Sequence, residues 1–149
     1  MMSASIVFCN ADVDFVLRDK TLLRKWMHHC AHLKKRKIFS LTYVFCSDPY
    51  LRKMNRKHLQ HDYNTDIITF PEITGIRTAV SGELYISIDR VKANAKEYGV
   101  SFSNELRRVM IHGLLHLCGE DDKSGKSAAK MRKAEDASLA LFQKIRIKT

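Results

Sequence analysis

His112 and His116 stand four residues apart in the run Ile111-His-Gly-Leu-Leu-His-Leu-Cys-Gly-Glu-Asp-Asp122. On a helix, side chains at that spacing stack on one face with Cβ atoms about 5–6 Å apart, so both imidazoles can reach one ion. Gly119 follows the pair. A glycine there can take the left-handed conformation that ends a helix and turns the chain back. The reversal would let a carboxylate from Glu120, Asp121 or Asp122 supply a third ligand. Two histidines and a carboxylate leave the fourth position of a zinc ion open, the arrangement of a catalytic rather than a structural site. A plainer reading makes His112 and His116 core histidines, hydrogen-bonded inside an apolar helix. The glycine and the acidic cluster favour the metal.

Such a site needs a buried helix to carry it. From a candidate N-cap at Ser103 to about Cys118, the chain places Leu106, Val109, Met110, Ile111, Leu114, Leu115 and Leu117 around much of a helical circumference. Ser5–Cys9, Phe39–Cys46, Asp66–Phe70 and Gly82–Ile88 read as strands. Further helices are expected from about Asp14 to Lys35, from Asp48 to about Leu59, from Asp89 to Tyr98 and from about Lys126 to Lys144. Asp48 would be an N-cap with Pro49 at the first helical position, Asp89 would cap the next helix, and Gly99 would end it. The expectation is one α/β (α+β) domain over residues 1–149, a mixed sheet of about four strands with about five helices.

Composition narrows the function classes. The chain is 45% hydrophobic and 28% charged, which suits a folded domain and excludes a disordered tail. No apolar run approaches the roughly 18 residues of a membrane span. Met1 to Asn10 lacks the charged-then-apolar order of a secretory signal, so a cytoplasmic protein is expected. Cys9, Cys30, Cys46 and Cys118 form no CxxC pair and read as small buried apolar residues, Cys118 alone lying close to the proposed ligands. A net charge of +10 favours a polyanionic partner such as nucleic acid. Basic residues around Arg18–Lys25, Lys34–Lys37 and Arg52–Lys57 could hold phosphates without reading sequence, and the group near Arg56 is the one expected to matter. His28, His29 and His32 form a second histidine cluster. No nearby carboxylate or turn completes it, and an exposed basic helix end accounts for it.

Three blocks together resemble one known family. His112-Gly-Leu-Leu-His116-Leu-Cys-Gly119 is similar to the HGxLHLxG signature of the YbeY family, bacterial rRNA maturation factors described as zinc-dependent endoribonucleases. Met54-Asn55 followed by Asn64-Thr65-Asp66-Ile-Ile-Thr-Phe70-Pro71 resembles that family's LN…TD(V/I)(L/I)SFP segment, and Gly82-Glu-Leu-Tyr-Ile86 its GD-I-I strand. Two positions depart from the pattern. The family's third ligand is usually histidine, and here it is Asp122. Carboxylate oxygen is an acceptable zinc ligand, though its charge weakens the acidification of bound water and broadens metal choice. The family also carries an arginine associated with activity where this chain has Leu59; Arg56, three residues earlier, is the candidate substitute, with Lys57, His58 and His61 nearby. The spacing is also metzincin-like, but the glutamate that acts as base in those peptidases is Gly113 here, which cannot take a proton.

The resemblance implies one Zn²⁺ per chain held by His112, His116 and Asp122, and cleavage of single-stranded RNA during maturation of the small-subunit rRNA 3′ end. The ion would activate water or polarise a phosphate oxygen while a 2′-hydroxyl attacks. His112, Glu120, Asp121 and Arg56 are the expected catalytic set, with Glu120 or Asp121 as base or as partner of a histidine. Arg56, Lys57 and Asp66 are expected to contact RNA, Asp66 lining the cleft beside the metal. The implied partners are rRNA, the small ribosomal subunit, and ribosomal or GTPase assembly proteins, with no membrane. The alternatives are an RNA-binding assembly factor with a structural metal and, further away, a metallopeptidase.

Overall fold

A computed structural model describes residues 5–59 and 65–148. Strand β2 (Lys37–Cys46) organises the sheet. Its neighbours are β1 (Ser5–Asn10) and β4 (Ala79–Ser87), both parallel to it, and β3 (Ile67–Pro71) runs antiparallel along the far side of β4. The order β1-β2-β4-β3 makes a mixed sheet of four strands among the described residues. Alternate residues of the strands feed two apolar clusters on opposite faces. Tyr43, Phe45, Leu84 and Ile86 face the larger one, under helices α1 (Lys20–Leu33), α4 (Phe102–Leu117) and α5 (Gly125–Lys148). Cys46, Ile68, Phe70 and Tyr85 face the smaller one, under α2 (Asp48–Leu59). Helix α3 (Ile88–Tyr98) packs on α4 and α2. This is the expected α/β domain with five helices among the described residues.

The differences from expectation lie at element ends. Each helix start goes to a serine where another residue was expected to cap. Ser47, Ser87 and Ser101 accept from the backbone N–H groups of Tyr50, Arg90 and Asn104, so the caps are these and not Asp48, Asp89 and Ser103. Asp48 instead takes a hydrogen bond from Ser87 and an ion pair from Arg90 at 2.7 Å, and Asp89 accepts the Asp48 backbone N–H. Helix α1 starts at Lys20, not near Asp14, because Asp19 turns left-handed (φ 60°). Phe15, expected on that helix, lies before it and packs edge-on against Phe45 and Phe102. Cys9 is exposed, unlike the other three cysteines, because it lies on the edge strand β1.

Helix α4 is held close to the sheet. A Cβ on Gly113 would stand 2.5 Å from Leu84 Cδ2 and 2.7 Å from Ile67 Cδ1, so only glycine allows the observed approach. From the strand side, the buried Tyr43 hydroxyl donates to the Met110 carbonyl at 2.8 Å. These two contacts fix the depth and rotation of the helix that carries both histidines.

Candidate metal centre

The last turn of α4 closes in a Schellman arrangement. The Gly119 N–H donates to the His116 carbonyl and the Glu120 N–H to the Leu115 carbonyl, with Gly119 at φ 101°. The turn brings the Glu120 backbone carbonyl to 2.9 Å from His116 Nδ1 and swings Asp122 back over the helix end. Asp122 Oδ2 then lies 3.4 Å from both His112 Nε2 and His116 Nε2, and the two Nε2 atoms are 3.0 Å apart. Ligands 2.0–2.1 Å from a tetrahedral zinc are separated by about 3.3–3.4 Å, so the triangle has the right size. The side chains are 25%, 30% and 39% exposed, so the trio stays open to a substrate.

The hydrogen bonds behind the trio settle which atoms face its centre. His112 Nδ1 lies 2.7 Å from the Glu135 carboxylate, and His116 Nδ1 meets a backbone carbonyl. Both partners only accept, so in neutral rings both protons sit on Nδ1 and both Nε2 lone pairs point at one another. With the Asp122 oxygen, three acceptors converge and no donor answers them. Such a place calls for a cation. Burial alone would push His112 down, but the hydrogen bond and charge of Glu135, with the charges of Asp122 and Asp66, outweigh it and raise its pKa. Without an ion, a proton is the charge that fills this role.

Glu135 is the participant that local spacing missed. It lies on α5, and Arg108 pins it through a 2.9 Å ion pair while also holding Asp136 at 2.8 Å. Burial works to raise its pKa, yet hydrogen bonds from His112 and Arg108 hold it below the usual carboxylate range. One sequence signal existed. The buried stripe of α5 runs Met131, Glu135, Ser138, Phe142, Ile145, and a carboxylate inside such a stripe needs a partner.

The other expected site residues are distributed differently. The Glu120 carboxylate turns to Lys34 at 2.9 Å, and that hydrogen bond lowers its pKa; only its backbone carbonyl serves the site. Asp121 folds back onto the N–H groups of Asp122 and Lys123. Their expected part as base is therefore corrected: these carboxylates are engaged by a lysine and by the loop itself. Asp66 lines a cleft of about 170 Å³ beside His112, where Asn94 donates to it at 3.2 Å. Burial raises its pKa against the opposing charge of His112. Glu105 faces the same cleft, and burial and the charge of Asp66 raise it too. Cys118 is buried, and that burial pushes its thiol up to about 11, so it offers no thiolate.

Arg56 and Lys57 are exposed in the last turn of α2, on the sheet face opposite α4. Leu59 ends that helix, and His61 and Asn64 lie outside the described residues. Gly113 points its missing side chain at Leu84 and Ile67, so a glutamate there would enter the sheet; this geometry has no place for the peptidase base. His28, His29 and His32 border an open groove with Lys25, Arg36 and Lys37, and no carboxylate lines it.

Known proteins agree with the site. Residues 9–143 match the family described as Endoribonuclease YbeY. The chain is 45% identical over 141 residues to the Endoribonuclease YbeY of Cytophaga hutchinsonii, covering 95% of this chain and 98% of that one. It is 39% identical over 133 residues to that of Flavobacterium johnsoniae, covering 89% and 94%. A solution structure of a Thermotoga maritima protein shares the fold, with a TM-score of 0.62 and 24% identity over 94% of this chain and 93% of that one. No helix among the described residues is long and apolar enough to cross a membrane. With its metal-binding cluster and its sequence in accord, the chain belongs to the YbeY family.

Proposed function

We propose that this chain is a metal-dependent, single-strand-specific endoribonuclease of the cytoplasm, acting in small-subunit rRNA 3′-end maturation and ribosome quality control. Residues 1–149 would serve as one catalytic domain. The observation that carries the reading is the convergence of His112 Nε2, His116 Nε2 and Asp122 Oδ2 with both imidazole protons committed elsewhere. These three residues would hold one Zn²⁺. When bound, the ion supplies Lewis-acid activation of water or of a phosphate oxygen.

The protein's own groups would do the rest. Glu135 keeps the His112 proton on Nδ1, and the Glu120 carbonyl does the same for His116. Asp66, in the adjoining cleft, is the carboxylate placed to accept a proton or an RNA hydroxyl, a task that Glu120 and Asp121 are turned away from. Arg56 and Lys57 would hold phosphates along the strand. The relatives' printed name, Endoribonuclease YbeY, supports RNA as the substrate. The rRNA and small-subunit partners, and ribosomal or GTPase assembly proteins, belong to this same reading.

Elemental analysis and a single-stranded RNA cleavage assay test it together. Wild type is expected to hold about one zinc per chain and to cleave, and His112→Ala and Asp122→Ala to lose both. Metal-bound wild type that binds RNA without cutting it would replace the enzyme with an assembly factor. Metal-free wild type from a zinc-replete preparation would remove the reading altogether.

A further inference from the structure

A cavity of about 290 Å³ opens between α1, α4 and α5, walled by Phe15, Leu23, Phe102, Leu106, Met110 and Phe142. None of these residues belongs to the metal centre. Arg107 stands at its edge with its guanidinium 4.3 Å from the Phe142 ring centroid. Its Nε is buried without a hydrogen-bond partner, and no carboxylate pairs with it among the described residues. A desolvated guanidinium normally finds a fork of acceptors, and an unanswered buried donor is costly. The lining thus offers two complementary things, an apolar hole and a cation lacking its anion.

We propose that this cavity docks a partner protein through a bulky apolar side chain seated in it and an adjacent carboxylate that pairs with Arg107. The volume lies near the lower end of small-ligand pockets, roughly 300–1,000 Å³, and suits one large side chain with its flanking backbone. The apolar surface continues past the mouth at Val16, which is 76% exposed, so an extended segment fits better than a compact metabolite. RNA fits poorly. A nucleobase pressed into these walls would bury ring nitrogens and carbonyls without partners. The site is independent of the nuclease reading, since none of its residues approaches the zinc ligands.

The test uses the full chain with labelled leucine methyls and two capped peptides, acetyl-Gly-Phe-Asp-Gly-amide and its Asn counterpart. The Asp peptide is expected to shift the Leu23 and Leu106 methyl signals and to bind about tenfold tighter than the Asn peptide, the advantage of a charge-assisted contact. Arg107→Met should erase that preference while leaving weak binding of both peptides. Val16→Asp, at the exposed rim, should weaken both without touching the core, so the proposal stays testable if the arginine variant does not fold. Equal binding of the two peptides, or no shift from either at millimolar concentration, would overturn the proposal. So would a short single-stranded oligoribonucleotide that shifts the same methyls and displaces the peptide.

Discussion

Two helices of this protein carry histidines four residues apart, and only one of them makes a centre. On α4, His112 and His116 are backed by a carboxylate and a carbonyl, and the Gly119 turn returns Asp122 to face them. On α1, His28 and His32 share the spacing but meet only Lys25, Arg36 and Lys37. Burial and the neighbouring His29 lower the pKa of His28, the opposite direction from His112. Spacing alone therefore decides little. What separates the clusters is the sign of the surrounding charge and whether the rings' second nitrogens are already committed.

The largest way to break this contrast is His112→Ala, which should abolish stoichiometric zinc in elemental analysis, while the double change His28→Ala, His32→Ala leaves it intact. Zinc lost from the α1 variant would mean that the two clusters had been told apart wrongly. Next in size is Glu135→Gln. It keeps the shape of the side chain but withdraws the charge behind His112, and zinc affinity by competition titration should fall about 10–100-fold. An unchanged affinity would reduce Glu135 to a packing residue.

Smaller effects concern stability. Gly113→Ala forces its new methyl towards Leu84 and Ile67 and should cost about 1–3 kcal/mol in denaturant unfolding, with zinc still bound in the folded fraction. The smallest is a pH effect in chelator-treated protein. Glu135 is held below its ordinary 4.5, so its contribution is full above that value and is lost as pH falls through the lower folded pKa. His112 is raised above 6.5, so its contribution is full below that value and is lost as pH rises through the higher folded pKa. The metal-free protein should then melt highest between about pH 4.5 and 6.5, and added zinc should extend the plateau upward. A flat profile in both preparations would show that the pair does not couple to folding.

The sequence showed the trio because its parts are local. Two ligands share a helix face, and one glycine decides where the third arrives. Glu135 was hidden because it reaches His112 across 23 residues and through the docking of two helices, which no short spacing encodes. The sheet was legible for the same reason as the trio, since its strands alternate or run apolar over five to ten residues. The start of α1 was not, because Phe15 obeys tertiary contacts with Phe45 and Phe102 rather than helical period. Helix caps were misplaced by one or two residues wherever a serine stood beside an aspartate or another serine. Both residue types can cap, and the backbone chooses between them.

The contact between Glu135 and His112 ties the ion to the chain's last helix as a thermodynamic partner. Whatever α5 does for zinc, zinc must do for α5, because a ligand that favours the docked state stabilises it in return. At a hundred times the dissociation constant that return is about 2.7 kcal/mol. A cell short of zinc would then hold not merely an idle protein but one whose C-terminal helix opens more often, exposing it to proteases before its remaining elements.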